Sequence, residues 1–269
     1  METTKLDRLP GKFVWFEHLS PDPAKARGFY EALFGWHCWP VPMGDGSDYP
    51  MILRDDRPES AMGGYRAAPA AGAPPQWLSY LSVEDVDASH AAVLAAGGRS
   101  VMAPVDYGPF GRGAVVADPA GAAFALWRGA AGDPPDTKEA PLGGWHWNEL
   151  MTGDDAAALA FYERVFDYSH ESVPILTADG GTRGTYHLLK DARGVPRAGA
   201  MKSPDPGAPP RWLQYVHVDD CDASAERARG LGAEVLMAPT EIPDVGRFAV
   251  LRDPLGAAIA VMKPVPHVG

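Results

Sequence analysis

The chain is a tandem repeat, and this duplication constrains its fold more than any other feature of the sequence. The segment PPQWLSYLSVEDVDAS (74–89) recurs 135 residues later as PPRWLQYVHVDDCDAS (209–224), and DPAGAAFALW (118–127) recurs at the same distance as DPLGAAIAVM (253–262). Nearer the start, FVWFEHLSPDPAKARGFYEALFGW (13–36) aligns with WHWNELMTGDDAAALAFYERVFDY (145–168) at an offset of 132. A repeat of this kind indicates one folded motif that was copied. We therefore expect two similar halves.

The halves are separated by a segment rich in proline, glycine and charge, GAAGDPPDTKEAPLGG (129–144), which is typical of a linker. We predict a first domain over residues 8–130, a linker over 131–141 and a second domain over 142–266.

Each half reads as two copies of a strand, a helix and three further strands. Phe13 to Leu19 is rich in aromatic residues, which suits a strand, and Asp22-Pro23 supplies an N-cap with proline in the first helical turn. Aromatic and aliphatic residues then recur at helical spacing until Gly35, and three short strand candidates follow. The cycle restarts at Trp77. The sequence thus predicts an α+β fold of four βαβββ modules.

Charge and composition exclude several classes of partner. Lys and Arg number 24 against 35 Asp and Glu, a net charge of -11, which argues against binding to nucleic acid or to an anionic membrane. No apolar stretch is long enough to span a bilayer, and the polar start METTKLDRLP lacks the apolar core of a signal peptide. The expected compartment is the cytoplasm.

These motifs together resemble the vicinal oxygen chelate superfamily, which includes glyoxalase I, extradiol dioxygenases and the bleomycin and fosfomycin resistance proteins. The resemblance rests on FYEALFGW and FYERVFDY after the first strand of each half, on V-x-D-x-DA at Val83–Ala88 and Val218–Ala223, and on the two DPxG hairpins. It is strongest to tandem glyoxalase-like proteins with PPxW and GR motifs, often labelled hydroxylases. The resemblance implies two half-barrel domains, each curved around a cavity that in metal-dependent members holds the ion.

The positions that the resemblance assigns to metal ligands carry no suitable donors here. The two histidine positions fall on Trp15 and Leu78 in the first half, the glutamate position falls on Ala125, and the other carboxylate falls among Gly63-Gly64. In the second half the corresponding ligand positions also lack donor atoms, and they are occupied by Trp147, Leu213, Ala260 and Gly199-Ala200. Divalent ions need several oxygen or nitrogen donors at one point. We therefore expect no cofactor, while a divalent metal at an unmapped site stays open.

Strand alternation indicates what lines the cavities instead. The inward positions are rich in aromatic side chains and alanine, which suits a flat, largely apolar ligand. The candidate ligand-binding residues are Trp15, Tyr80, Trp127, Trp147, Tyr215 and Met262. The alternative is that these side chains merely fill the interior of a barrel.

Three residues are candidates for catalysis. Glu17 and Glu149 occupy the same repeated strand position, two residues after a tryptophan, where a carboxylate can act as a general base or bind a ligand hydroxyl. Alternatively each bonds a backbone group or pairs with Arg112 or Arg247. His217 is unique to the second half, so if one cavity performs chemistry we expect it to be the second.

Three functions are compatible with these residues. The first is metal-independent binding of an aromatic or polycyclic small molecule, of natural product or antibiotic type, for sequestration, self-resistance or support of oxidative tailoring. The second is a glyoxalase-like enzyme, a lyase, isomerase, dioxygenase or hydroxylase, either metal-free with Glu17 or Glu149 as base or using an unmapped metal. The third is a scaffold with filled cavities. The sequence is compatible with a monomer or a homodimer, and with modules that pair within each half or crosswise between halves.

Overall fold

A computed structural model describes residues 7–43, 46–137, 139–176 and 181–265, and the predicted end of the second domain at Pro266 lies outside them. The prediction of an α+β fold with four βαβββ modules is confirmed. All four modules carry one helix and four strands, in the order that the repeat predicts.

The first half contains modules one and two. Module one consists of β1 (Phe13–Ser20), α1 (Pro23–Phe34), β2 (His37–Pro42), β3 (Asp48–Leu53) and β4 (Ala61–Ala67). Module two consists of β5 (Gln76–Ser82), α2 (Val86–Ala95), β6 (Arg99–Asp106), β7 (Gly111–Ala117) and β8 (Ala123–Gly129).

The second half repeats this order. Module three consists of β9 (Trp145–Thr152), α3 (Asp155–Phe166), β10 (Ser169–Leu176), β11 (Thr182–Lys190) and β12 (Pro196–Lys202). Module four consists of β13 (Arg211–His217), α4 (Cys221–Gly230), β14 (Glu234–Ile242), β15 (Gly246–Arg252) and β16 (Ala258–Pro264).

The strands form two eight-stranded sheets of identical topology. The orders are β2-β3-β4-β1-β5-β8-β7-β6 and β10-β11-β12-β9-β13-β16-β15-β14. In every module the first and last strands run parallel while the others pair antiparallel. This topology agrees with two glyoxalase-like half-barrels, one in each half of the sequence.

Each helix begins after an aspartate that caps it. The carboxylates of Asp22, Asp85, Asp154 and Asp220 each accept a hydrogen bond from a backbone N–H three residues further on, which satisfies one of the free donors of the first turn. Gly35 ends α1 in the left-handed region, with φ of 72°. Within the described ranges no helix is long and apolar enough to cross a membrane.

Residues that lie close together in space group into two compact units, and each unit contains segments from both halves of the sequence. One unit contains the chain up to Val14 together with Ser79–Asp136 and Trp147–Trp212. The other contains Trp15–Leu78, Thr137–His146 and the chain from Leu213. Apart from the first two or three residues of each module's first strand, modules two and three therefore belong to one compact unit, and modules one and four to the other. Of the two arrangements that the sequence left open, the compact units follow the crosswise one.

A buried polar cluster joins modules one and four. His18 Nε2 lies 2.8 Å from Asp253 Oδ2, and the Tyr30 hydroxyl donates to the same oxygen at 3.0 Å. Trp77 Nε1 donates to the Tyr30 hydroxyl at 2.9 Å. Burial opposes ionisation of Asp253, but the hydrogen bond and charge of His18 together with backbone N–H groups outweigh it, so the pKa of this carboxyl is lowered.

The equivalent cluster between modules two and three lacks the histidine. Tyr162 donates to Asp118 at 3.2 Å and accepts from Trp212 Nε1 at 3.2 Å, while Leu150 stands at the position that His18 occupies in the other cluster. Burial raises the pKa of the Asp118 carboxyl, with backbone N–H groups and the Tyr162 hydroxyl opposing it. The duplicated clusters thus share a shape and differ in electrostatics.

Candidate ligand-binding site

In module one, three of the side chains that the strands bring together form a hydrogen-bonded chain. Trp15 Nε1 donates to the Tyr49 hydroxyl at 3.0 Å, and that hydroxyl donates to Glu17 Oε1 at 2.9 Å. Glu17 is 3% exposed, whereas Trp15 is half-buried. We call this group, Trp15, Tyr49 and Glu17, the first relay. It presents part of an indole ring at its outer end and holds a carboxylate at its buried end.

Module three contains the same arrangement. Trp147 Nε1 donates to the Tyr186 hydroxyl at 2.7 Å, and Tyr186 is hydrogen-bonded to Glu149. Glu149 is 5% exposed and Trp147 is half-buried. Trp147, Tyr186 and Glu149 form the second relay. The repeated tryptophan and glutamate positions of the sequence therefore mark a repeated structural feature.

A glycine beneath each tyrosine makes room for the relay. Gly64 pairs with Glu17 across β4 and β1, and a Cβ atom placed on it would lie 2.0 Å from the Tyr49 hydroxyl oxygen. Gly199 pairs with Glu149, and its Cβ atom would lie 1.9 Å from the hydroxyl oxygen of Tyr186. Gly64 and Gly199 stand where the resemblance assigns a metal-binding carboxylate. In each half the tyrosine hydroxyl thus occupies the space that the carboxylate side chain would fill.

Both tyrosines keep their protons. Burial is the largest cause that raises the pKa of Tyr49 and of Tyr186 well above the ordinary value, and the negative charge of the neighbouring glutamate adds to it. A protonated phenol donates its hydrogen to the carboxylate and accepts one from the indole. The direction of each relay is therefore fixed from tryptophan to glutamate.

Two other candidate residues meet within module two. The rings of Tyr80 and Trp127 pack edge to face with centroids 5.9 Å apart, and Tyr107 lies 5.7 Å from the same indole. Tyr80, Tyr107 and Trp127 are all half-buried. Gly113 leaves space for this indole, since a Cβ atom there would lie 2.9 Å from a Trp127 ring carbon. Module two thus supplies a partly accessible aromatic cluster.

The candidates of module four are more deeply buried. Tyr215 packs against Phe248 with ring centroids 6.2 Å apart, and Phe248 pairs with Met262 across β15 and β16. Tyr215 is 6% exposed and Met262 is 4% exposed. The two halves therefore differ in how far their aromatic candidates can be reached by a ligand.

His217 is hydrogen-bonded to the linker. Its Nδ1 donates to the carbonyl oxygen of Ala140 at 2.6 Å, and its ring lies 5.8 Å from that of His146. Its backbone exchanges hydrogen bonds with Gly143 and Gly144. These contacts fix the orientation of the imidazole, and its role in catalysis stays a prediction.

The repeated arginines bond helix carboxylates. Arg112 pairs with Asp87 at 2.7 Å, and Arg247 pairs with Asp222 at 2.6 Å. The arginine beside Glu17 is Arg66, whose Nε lies 3.6 Å from Glu17 Oε1. Arg112 and Arg247 therefore each link a hairpin strand to a helix.

Sequence reasoning missed Tyr49, Tyr186 and Arg66. The two tyrosines stand 137 residues apart, outside the offsets of 132 and 135 that the alignment used, because the preceding loops differ in length. The available signal was a tyrosine ahead of an apolar run in each half, YPMIL and YHLLK. Arg66 lacks a counterpart in the second half and so carried no repeat signal.

The residues at the mapped ligand positions do not fit a divalent metal ion. An indole N–H only donates, and leucine, alanine and glycine side chains offer no donor atom to a metal. Among the described residues, no group of three or more His, Cys, Asp and Glu side chains could hold a metal ion.

Comparison with known proteins gives consistent matches over nearly the whole chain. The family model described as Glyoxalase/Bleomycin resistance protein/Dioxygenase superfamily matches residues 12–126 and 144–261. A protein of Mycobacterium tuberculosis named "Putative glyoxylase CFP32" is 39% identical over 94% of this chain and 95% of its own length. Anthracycline biosynthesis protein DnrV of Streptomyces peucetius is 34% identical over 94% of each chain.

Among solved structures, the Mn(II)-bound glyoxalase from Novosphingobium aromaticivorans superposes with a TM-score of 0.62. The identity is 18%, and the match covers 96% of this chain and 83% of the other. At that identity the likeness shows a shared fold alone.

Proposed function

We propose that this chain, which belongs to the Glyoxalase/Bleomycin resistance protein/Dioxygenase superfamily, binds an aromatic or polycyclic small molecule without a metal ion. Binding would serve sequestration, self-resistance or the support of an oxidative tailoring enzyme in the cytoplasm. The ligand-binding residues would be the two relays together with Tyr80, Trp127, Tyr215 and Met262.

The observation that carries this proposal is the pair of relays at the mapped metal positions. Trp15 and Trp147 stand where the family's first histidine is expected, and the phenols of Tyr49 and Tyr186 fill the space above a glycine where a carboxylate is expected. The same replacement occurs in both halves. A duplicated and fully hydrogen-bonded arrangement supports a role of its own rather than a damaged metal site.

The chemistry of a relay suits a planar ligand. A half-buried indole offers a ring face, and stacking of aromatic rings is worth about 0.5–1.5 kcal/mol beyond the area it buries. The carboxylate beside it can accept a hydrogen bond from a hydroxyl group of the ligand. Such a site favours flat molecules that carry a few polar substituents.

The class of ligand is suggested by a relative. DnrV, which covers the same length at 34% identity, is described as an anthracycline biosynthesis protein. We therefore propose a polycyclic aromatic of anthracycline type as the ligand class.

Tryptophan fluorescence tests this function directly. Planar quinones such as 1,8-dihydroxyanthraquinone should quench part of the emission in a saturable manner, and Trp15→Phe and Trp147→Phe should each remove a share of that quenching. Trp39→Phe is the matched control, since Trp39 is 53% exposed on β2 and belongs to neither relay. Equal quenching in all three variants would contradict the proposal.

A metal-free enzyme is the second candidate, and the buried carboxylates favour it. Glu17 is buried and receives a hydrogen bond from the Tyr49 phenol, so a positioned carboxylate is available as a general base. Glu17→Gln and Glu149→Gln separate the two functions. Turnover of a bound quinone or hydroxy ketone that these variants lose while binding is retained would establish catalysis, and His217→Asn would then test the third candidate residue.

A further inference from the structure

The sheet face that carries the first relay continues beyond it to the edge of module one. Glu17 pairs with Gly64 across β1 and β4, and Gly64 pairs with Met51 on β3. Met51 in turn pairs with Trp39 on β2. Residues that pair across neighbouring strands point to the same face of a sheet. Met51 and Trp39 therefore extend the relay face in one row across four strands.

The outer end of this row is apolar and open. Trp39 is 53% exposed and Met51 is half-buried. β2 is an edge strand, and Pro40 and Pro42 remove two of the backbone N–H groups with which another strand could pair. The indole of Trp39 is thus accessible to a small molecule, at an edge that is poorly suited to pairing with a further strand.

Module three has the same row with a different outer end. From Gly199 the row continues through Leu188 on β11 to Glu171 on β10, so Glu171 occupies the position of Trp39. Its carboxylate accepts a hydrogen bond from Lys190 Nζ. A ring that covered this ion pair would remove water from both charged groups, which costs free energy. The duplication has therefore kept the relay and changed the surface beside it.

Strand spacing sets the length of ligand that each row can hold. Neighbouring strands lie about 4.8 Å apart, so Trp39 on β2 stands two spacings, about 10 Å, from Gly64 on β4. A fused six-membered ring is about half as long as one spacing. Three linear rings that begin at Gly64 therefore end between β3 and β2, whereas four rings reach Trp39.

Resting on the function proposed above, we infer that the first relay binds linear aromatic molecules of four fused rings, with the indole of Trp39 stacked on the ring furthest from Glu17. The second relay binds molecules of up to three rings, because the ion pair of Lys190 and Glu171 lies where the fourth ring would be placed. Trp39 thus determines the length of the ligand.

A three-ring ligand does not depend on Trp39. It lies on the relay and ends short of β2, so Trp39→Phe remains a valid control for the three-ring quinone used above. The fourth ring alone gains the additional stacking contact. A contact between aromatic rings of this kind corresponds to about a fivefold gain in affinity.

The test uses 1,4-dihydroxyanthraquinone and 6,11-dihydroxy-5,12-naphthacenequinone, which share the dihydroxyquinone group and differ by one fused ring. Equilibrium dialysis, followed by the visible absorption of the quinone, measures both affinities independently of tryptophan emission. The first relay is measured in a Trp147→Ala background. We expect Trp39→Ser to weaken binding of the four-ring quinone about fivefold and to leave binding of the three-ring quinone within about twofold. Trp39→Phe should retain most of the four-ring affinity, because its ring still stacks.

The second relay supplies the reciprocal experiment, in a Trp15→Ala background. The double variant Glu171→Trp with Lys190→Leu copies the module-one residues Trp39 and Leu53, which occupy the same strand positions. It should strengthen binding of the four-ring quinone about fivefold and leave binding of the three-ring quinone within about twofold. Urea unfolding of each variant verifies that the fold is retained.

The outcomes separate this inference from the function on which it rests. If neither quinone binds the parent protein, the proposed function is wrong and this inference falls with it. If both quinones bind, but Trp39→Ser leaves the ratio of their affinities unchanged, the length assignment alone is wrong. Equal weakening of both quinones by Trp39→Ser would also overturn it, as would the same loss of four-ring binding in the Trp15→Ala background.

Discussion

Alanine in place of Gly64 should break the first relay. The new Cβ atom would lie 2.0 Å from the Tyr49 hydroxyl oxygen and 2.2 Å from the ring carbon that bears it. Ordinary contacts between heavy atoms lie near 3.5 Å, so the phenol must move by about 1.5 Å. A movement of that size lengthens the 2.9 Å bond to Glu17 and the 3.0 Å bond from Trp15 beyond hydrogen-bonding distance.

The cost follows from what is lost. A buried carboxylate that loses a hydrogen bond costs about 1.5–3 kcal/mol, and forcing a methyl group into a packed site costs about 1–3 kcal/mol. Against this, replacing glycine by alanine restricts the unfolded chain and returns about 0.4–1 kcal/mol. We expect Gly64→Ala to lower the free energy of unfolding by about 2 kcal/mol or more.

Urea unfolding followed by circular dichroism measures this change, and the chain supplies its own controls. Gly199→Ala should cost a similar amount, since its Cβ atom would lie 1.9 Å from the Tyr186 hydroxyl oxygen. Gly28→Ala lies within α1 with no neighbouring atom within 4 Å and should stabilise the protein by about 0.5–1 kcal/mol.

A double variant checks the mechanism. Tyr49→Ala removes the phenol that the new methyl group meets, so Tyr49→Ala with Gly64→Ala should cost less than the sum of the two single changes. Simple additivity, or a Gly64→Ala variant as stable as Gly28→Ala, would refute the steric argument.

Two further predictions concern the buried clusters and the compact units. The pKa of Asp253 is lowered in the folded protein, so the stability that this carboxyl contributes is present above its ordinary pKa of about 3.9 and is lost as the pH falls through the lower folded value. Urea titrations should therefore show Asp253→Asn to be destabilising at pH 7 and progressively less destabilising as the pH falls below about 3.9, whereas Asp118→Asn, whose carboxyl has a raised pKa, should cost less at pH 7. Because each compact unit draws on both halves, residues 8–130 or 142–266 expressed alone should show weak near-ultraviolet dichroism that mixing the two restores, and a fully folded isolated half would contradict this.

The repeat predicted the fold in considerable detail because its signals are local. Aspartate caps, helical spacing and the DPxG turns act over a few residues, so Asp22 could be placed as a cap without any knowledge of the tertiary structure. Register between modules depends on contacts across more than a hundred residues. No sequence pattern indicates that His18 and Asp253 are in contact. The grouping of modules from different halves into one compact unit could therefore not be deduced.

The candidate site was predictable in part for the same reason. Trp15 and Glu17 are two apart on one strand, so alternation places them together. Tyr49 reaches them from another strand after a loop of variable length, and its place depends on the empty space above Gly64. A glycine can be recognised in a sequence, but the residue that fills the space above it is determined by tertiary packing.

The proposed function requires the relays to bind an aromatic ligand without a metal ion. The most direct measurement is quenching of the full chain by 1,8-dihydroxyanthraquinone in excess EDTA, repeated after addition of Mn(II). Saturable quenching is expected in EDTA, Mn(II) should leave it unchanged, and the double variant Trp15→Phe with Trp147→Phe should greatly reduce it. Quenching that appears only when Mn(II) is added would contradict it.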